Sequence, residues 1–137
     1  MVETINASVI SQERVLFEGA ARSAVAPAVD GQLGILPRHA PLMAALGKGV
    51  LKIHSADKNN YYAVFGGFIQ VKDNGLIILV DKATAGADLD PAKAEEEVAV
   101  LKNKLQAGDT KAEERRKLLA DLENARVLLH AARLAHD

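Results

Sequence analysis

Apolar and polar residues alternate with a period of two in several short segments of the first 88 residues. The segments TINASVI (residues 4–10) and GVLKIHS (residues 49–55) carry an apolar side chain at every second position. In the first segment Ile5, Ala7 and Val9 are expected to point inward. Such alternation is typical of β-strands with one buried face. Two further apolar segments are RVLFEG (residues 14–19) and SAVAPA (residues 23–28).

The segment NNYYAVFGGFIQVKDNGLIILVD (residues 59–81) contains three apolar runs. Gly66-Gly67 separates the first two runs and predicts a bend or a bulge. Asp73-Asn74-Gly75 separates the second run from the third and predicts a hairpin turn, because these residues tolerate positive φ. Many short strands at close spacing, with no helix between them, predict an antiparallel sandwich or barrel.

After residue 88 the apolar positions follow a helical spacing. Asp90 is a good N-cap, and Pro91 suits the first position of a helix. Apolar residues then recur every three or four positions, and Gly108 is expected to end the helix. The predicted apolar stripe consists of Ala94, Val98, Leu101 and Leu105.

A second helix is predicted directly after the first. Thr110 and Glu113 have the spacing of a capping box, in which the two side chains bond each other's backbone N–H groups. Two apolar stripes across a short turn predict an antiparallel helical hairpin, which is marginally stable unless it packs on something else. The second stripe consists of Leu118, Leu122, Ala125, Leu129 and Ala132.

Composition also changes near residue 88. Both tyrosines and all three phenylalanines precede it, and charged residues number 16 in the first 88 positions and 19 in the last 49. We therefore predict an α+β fold that is mainly β. Residues 1–88 form an N-terminal antiparallel β-sandwich, and residues 89–137 form a C-terminal antiparallel two-helix hairpin.

The overall composition excludes several classes of protein. The chain is 49% hydrophobic with a formal net charge of −1, so it has a packed core and no electrostatic attraction to nucleic acid. It contains no cysteine, which excludes disulfides and Cys-ligated metal sites. The N-terminus resembles neither a secretory signal nor a transit peptide, and no apolar run is long enough to insert into a membrane.

The sequence contains no motif of a catalytic or metal site. The four histidines do not stand at a metal-ligating spacing, and neither a Walker A motif nor a G-x-S-x-G motif occurs. The residues alone leave two classes of protein open. One is a non-catalytic subunit that binds other proteins, and the alternative is a stand-alone β-sandwich binding module of cupin type.

One long motif favours the first of these two classes, the non-catalytic subunit. The stretch from residue 13 to residue 51 contains ERVLFEG, then VAPAVDGQLGILPRHAPL, then a Gly-Val-Leu turn. It closely resembles the epsilon subunit of bacterial F-type ATP synthases, whose mitochondrial counterpart is called delta. YAVFGGFIQV (residues 62–71) resembles a second motif of that family, and the helical hairpin falls where the family has one.

The resemblance implies that residues 31–42 are mainly architecture and docking surface. Pro37 and Pro41 are expected to keep the preceding residues extended, and two glycines are expected to allow tight turns and close backbone approach. In the family this region faces the ring of c subunits and the foot of the gamma subunit. The candidate docking residues are Gly31, Gln32, Gly34, Arg38 and His39.

The resemblance also implies a function without catalysis by this chain. An epsilon subunit lies in the central stalk and helps to couple proton translocation and rotation to ATP synthesis. The implied partners are the gamma subunit, the c-ring, and the alpha and beta subunits of the catalytic head. The implied location is peripheral, at the cytoplasmic face of the bacterial plasma (inner) membrane.

The hairpin is expected to be regulatory. In the family it lies folded down beside the sandwich or extends along gamma, and the extended form blocks rotation in the hydrolysis direction. Basic side chains of the hairpin are candidates for contacts with acidic loops of the catalytic subunits. These are Arg115, Arg116, Lys117, Arg126 and Arg133.

Some family members bind ATP through a motif at the start of the first helix, and here the motif is LDPAKA (residues 89–94). The usual arginine is replaced by Lys93, which lacks the planar fork of a guanidinium, and an upstream glutamate is replaced by Thr84. We therefore expect no required cofactor and at most weak ATP binding. The candidate ATP-binding residues are Leu89, Asp90, Lys93, Ala94, Arg126 and Arg133.

Overall fold

The structure is a computed structural model that describes residues 3–108 and 111–137. Eight strands precede two helices, so the predicted α+β fold with a β-sandwich and a helical hairpin is confirmed. The strands are β1 (Ile5–Ile10), β2 (Val15–Ala21), β3 (Ser23–Ala28), β4 (Gly31–Ile35), β5 (Leu42–His54), β6 (Asn59–Lys72), β7 (Gly75–Val80) and β8 (Ala83–Ala85). A 3-10 turn at Gly86–Asp88 leads into α1 (Pro91–Gln106) and α2 (Ala112–Ala135).

The strands are hydrogen-bonded in the order β2-β1-β7-β6-β5-β3-β4, and β8 pairs with β6. The long strands β5 and β6 take part in both layers of the sandwich. Residues 42–46 of β5 pair with residues 67–71 of β6, and this half continues through β7 to β1 and β2 as the first layer. The other half of β5 pairs with β3 and the other half of β6 pairs with β8, and β4 pairs with β3 to complete the second layer.

One strand pair differs from the antiparallel prediction, because β1 and β7 are parallel. Their register pairs Ala7 with Leu76 and Val9 with Ile78. Since about 65 residues separate the two strands, no short turn forces them to be antiparallel. Every other pairing described between strands is antiparallel.

The Gly66-Gly67 pair lies inside one continuous strand rather than between two. Tyr62 and Val64 point inward before the glycines, whereas Ile69 and Val71 point inward after them. Gly66 has φ of 87° and Gly67 has φ of 140°. These conformations favour glycine, so the pair allows β6 to bend from one layer into the other. The predicted bend is therefore confirmed.

The core of the sandwich is aliphatic, and the inward positions predicted for β1 are confirmed. Ile5, Ala7 and Val9 are at most 1% exposed. Tyr62 is the aromatic residue of this buried cluster, and its hydroxyl donates to the carbonyl of Leu16 at 3.3 Å. Burial raises the pKa of Tyr62 above its ordinary value, because the phenolate is poorly solvated there.

The predicted hairpin turn is also confirmed. Asp73 and Asn74 have φ of 53° and 56° and form a two-residue loop between β6 and β7. Positive φ at both central residues is the signature of a type I′ turn, whose twist matches that of the flanking strands. The Asn74 side chain also donates to the carbonyl of Thr4 at 2.9 Å, so the turn holds the start of β1.

The start and the end of α1 agree with the sequence. The carboxylate of Asp90 accepts a hydrogen bond from the N–H of Ala92 at 3.0 Å, and Pro91 is the first helical residue. Gly108 follows the C-cap residue with φ of 80°. The predicted cap residue Thr110 lies outside the described residues, and α2 begins after Lys111 without a side-chain cap.

The two helices pack on each other through the predicted stripes except for Ala132, which is fully buried but does not belong to the cluster between the helices. The second helix, α2, also packs on the sandwich. It lies against β5, β6 and the 3-10 turn, so the hairpin adopts the folded-down arrangement. Ala63 is fully buried although it belongs to the outward face of the second layer, and Ala131 of α2 is fully buried as well. The cluster between the helices contains Val98, Leu101, Leu122, Ala125 and Leu129, flanked by Ala94, Leu105 and Leu118.

Candidate functional site

The outward face of the first layer presents four large apolar side chains, which we call the apolar face. Met43 on β5, Phe68 on β6, and Ile77 and Leu79 on β7 are 67%, 37%, 42% and 48% exposed. The strand register places Phe68 beside Leu79, and Gln70 between Met43 and Ile77. Cross-strand neighbours lie about 5 Å apart, so these side chains form one continuous surface. Exposed patches of this kind mark sites of protein association.

None of the residues predicted from the sequence to bind partners belongs to the apolar face, although one feature of the sequence indicates it. The run LIILV (residues 76–80) is apolar at every position, whereas a strand with one solvated face alternates. Leu76, Ile78 and Val80 fill the core, which leaves Ile77 and Leu79 on the outside. A strand that is apolar on both faces predicts that both faces are covered.

The candidate docking residues Arg38 and His39 lie in the loop between β4 and β5. Arg38 has φ of 65°, and its N–H donates to Oδ1 of Asn74 at 2.8 Å. Its guanidinium lies 3.2 Å from the carboxylate of Glu3. The N–H of His39 donates to the carbonyl of Leu36 at 3.1 Å, which closes a turn. This loop is therefore attached to the β6–β7 turn and to the segment that precedes β1.

The other three docking candidates lie on the β3–β4 hairpin. Gly31 has φ of 124° at the turn, and Gln32 is exposed beside it. Gly34 was one of the two glycines expected to allow a tight turn and a close backbone approach, and this expectation is wrong, because Gly34 is paired with Val25 in the strand and does not have positive φ. A methyl group at Gly34 would contact nothing within 4 Å, so no close backbone approach requires glycine there.

The basic residues of the hairpin form two groups. Arg115, Arg116 and Lys117 are exposed in the first turns of α2. Arg126 and Arg133 line a groove of about 440 Å³ between the two helices, together with Lys102 and His130. The guanidinium of Arg133 lies 3.5 Å from Glu95 on α1, and both side chains are more than half exposed.

A comparison with known proteins identifies the family. The family model of the ATP synthase delta/epsilon chain, beta-sandwich domain, matches residues 4–86. The chain belongs to the ATP synthase delta/epsilon family. It is 45% identical over 107 residues to the ATP synthase epsilon chain of Leptospira borgpetersenii, which covers 78% of this chain and 84% of the relative. It is 35% identical to that of a Synechococcus species over 133 residues, which covers 96% of this chain and 95% of the relative.

Two solved structures share the fold. A chain in the Euglena gracilis mitochondrial ATP synthase (OSCP/F1/c-ring) has a TM-score of 0.76 at 18% identity and covers 98% of this chain and 82% of that one. A chain in the central stalk and c-ring of the Tetrahymena thermophila enzyme has a TM-score of 0.60 at 13% identity, with 96% and 97% coverage. At these identities the likeness concerns the fold alone.

Family membership decides between the two classes that the sequence left open. The chain is a non-catalytic subunit of an ATP synthase, and the cupin-type alternative has no support. Within residues 3–108 and 111–137, no three His, Asp or Glu side chains lie close enough together to hold a metal ion. No helix in the same ranges is long and apolar enough to cross a membrane.

The candidate ATP-binding residues lie around the start of α1 and in the second half of α2. Arg126 and Arg133 line the groove between the helices, but none of the motif residues at the start of α1 is among the described residues lining it. The carboxylate of Asp90 is occupied as the N-cap of α1. Lys93 is exposed, Leu89 and Ala94 are half-buried, and Ala94 packs in the apolar cluster between the helices.

Proposed function

We propose that this epsilon-type subunit binds the gamma subunit and the c-ring through its sandwich and couples proton translocation and rotation to ATP synthesis. The observation that carries this proposal is the apolar face. The hairpin covers the outward face of the second layer at β5 and β6, whereas Met43, Phe68, Ile77 and Leu79 of the first layer are exposed in the isolated chain.

The gamma subunit is the partner that fits this face best. A rotating stalk requires its subunits to remain associated, and broad apolar surfaces form such permanent interfaces. The Euglena gracilis and Tetrahymena thermophila chains with this fold come from assemblies that contain a c-ring. We place the c-ring contact at the β3–β4 hairpin and the following loop, through Gly31, Gln32, Gly34, Arg38 and His39.

The proposed location follows from these partners. The chain associates peripherally with the cytoplasmic face of the bacterial plasma membrane, because the c-ring holds the stalk there. No part of the chain needs to enter the bilayer in this arrangement.

A charge on the apolar face tests the gamma contact. We expect Leu79→Glu to weaken binding to purified gamma subunit at least about tenfold, because the carboxylate loses its hydration in the interface. Val100→Glu is the matched control, since Val100 is 46% exposed but lies on α1. Binding is measured by titration of the labelled chain with gamma.

The expected result requires both variants to keep the melting temperature of the unmodified chain within a few degrees. If Leu79→Glu binds gamma as tightly as Val100→Glu does, the apolar face is not the gamma site.

We further propose that the hairpin restrains ATP hydrolysis by leaving the sandwich and extending toward the alpha and beta subunits. The exposed Arg115, Arg116 and Lys117 and the groove residues Arg126 and Arg133 supply the contacts to acidic loops. Each exposed ion pair contributes only about 0–1 kcal/mol, so several must act together. ATP is a weak regulatory ligand of the hairpin in this scheme and not a required cofactor.

A further inference from the structure

The contact between α2 and the 3-10 turn is a close approach of two backbones. A methyl group at Gly86 would lie 2.5 Å from the carbonyl oxygen of Ala131 and 2.9 Å from the Cβ of Ala135. Gly86 does not have positive φ, so glycine is required there by the neighbouring helix rather than by its own conformation. The helix can rest on the sandwich at this point only while residue 86 has no side chain.

Polar contacts contribute nothing to this docking among the residues that the structure describes. The hydrogen bonds and ion pairs found there join strands, turns or the two helices, and none joins α2 to the sandwich. Apolar groups remain, among them the fully buried Ala63 and Ala131.

One residue of α2, Asn124, has a buried polar side-chain atom. It precedes Ala131 by seven residues, which is about two helical turns, so both residues lie on the face of α2 that meets the sandwich. The side-chain oxygen of Asn124 is buried and has no hydrogen-bond partner. A buried acceptor without a partner is destabilising, and the cost disappears when water reaches the group.

We propose that Asn124 and Gly86 together set the docking equilibrium of the hairpin, Asn124 by favouring release and Gly86 by permitting docking. The regulatory meaning of this equilibrium rests on the proposed function, in which the released hairpin restrains hydrolysis. The equilibrium itself is a property of the isolated chain and can be measured without the other subunits.

A single introduced cysteine reports on docking, because the chain has none of its own. Ala63→Cys places the thiol under α2, where a thiol reagent reaches it only after the hairpin leaves. The labelling rate is then proportional to the released fraction when release and return are fast. All variants carry the same cysteine, so its own effect on docking is common to them.

Asn124→Leu removes the unpartnered oxygen and adds apolar contact. We expect the labelling rate to fall at least about fivefold. Asn103→Leu is the matched control, because Asn103 is exposed on α1 and the change alters helix propensity in the same way. A rate that falls equally in both variants, or in neither, overturns the role of Asn124.

Gly86→Ala should act in the opposite direction. The added methyl group meets the Ala131 carbonyl, so we expect the labelling rate to rise at least about fivefold. Gly34→Ala is the control in the isolated chain, since a methyl group there contacts nothing. An unchanged rate in Gly86→Ala overturns the role of Gly86.

Hydrolysis by the complete ATP synthase separates this inference from the proposed function. If the docking inference and the proposed inhibition both hold, Asn124→Leu raises ATP hydrolysis and Gly86→Ala lowers it. If the labelling rates change as expected but hydrolysis does not, the docking inference stands and the proposed inhibition fails. If the labelling rates do not change, the docking inference fails whatever the hydrolysis rate does.

Discussion

At the scale of single residues, the structure requires glycine at some positions of this chain and not at others. Gly67 combines φ of 140° with an approach to the carbonyl of Leu79 that leaves no room for a methyl group. Gly34 lies in an ordinary extended strand with open space beside it. Both belong to motifs that resemble the family, so the resemblance alone could not distinguish a required glycine from a tolerant one.

This difference predicts opposite outcomes for two identical substitutions. We expect Gly67→Ala to lower the free energy of unfolding by at least about 2 kcal/mol, because both the backbone and the neighbouring strand must move. Gly34→Ala should change it by less than about 0.5 kcal/mol. Urea denaturation of both variants provides the comparison, and equal losses would show that the bend of β6 tolerates a side chain.

At the scale of elements, local sequence decided where strands, turns and helices begin and end. The type I′ turn at Asp73-Asn74 and the Asp90 cap depend on the backbone preferences of a few neighbouring residues. The sequence predicts a break at Gly66-Gly67, but it does not predict that one strand, β6, continues through both glycines. Pairing with β5 on one side, and with β7 and β8 on the other, keeps the strand intact across the bend.

The start of α1 leads to a prediction about ATP. We expect only weak binding to the isolated chain, with a dissociation constant in the millimolar range that corresponds to about −4 kcal/mol. Asp90 is already occupied as a cap, and Lys93 cannot make a two-pronged contact. Backbone amide shifts during an ATP titration without Mg²⁺ measure this. Saturation at micromolar ATP around residues 89–94 would contradict it.

At the scale of the whole molecule, the sandwich has its own core. The buried cluster of the sandwich contains no residue of α1 or α2, and the helices have a separate cluster. Residues 1–88 and 89–137 are therefore proposed as units that can separate. The hairpin packs on the sandwich through α2, which lies against β5, β6 and the 3-10 turn.

Removal of residues 89–137 tests this organisation and the proposed inhibition. We expect residues 1–88 to keep the circular dichroism spectrum of a folded β-protein and to bind gamma. In the complete ATP synthase the truncation should leave assembly intact and raise ATP hydrolysis. An unfolded fragment would contradict the separation of the two units, and unchanged hydrolysis across nucleotide concentrations would contradict inhibition by this chain.

The sequence by itself determined the order of the elements, the main turns, the helix stripes and the resemblance to one family. These features depend on side-chain periodicity and on backbone preferences, which are local. The tertiary structure alone decided the parallel β1–β7 pair, the docking of α2 on the sandwich, and which side chains come together as the apolar face. They depend on contacts between distant segments, because the free energy of burying a residue is set by what packs against it and not by its neighbours in the chain.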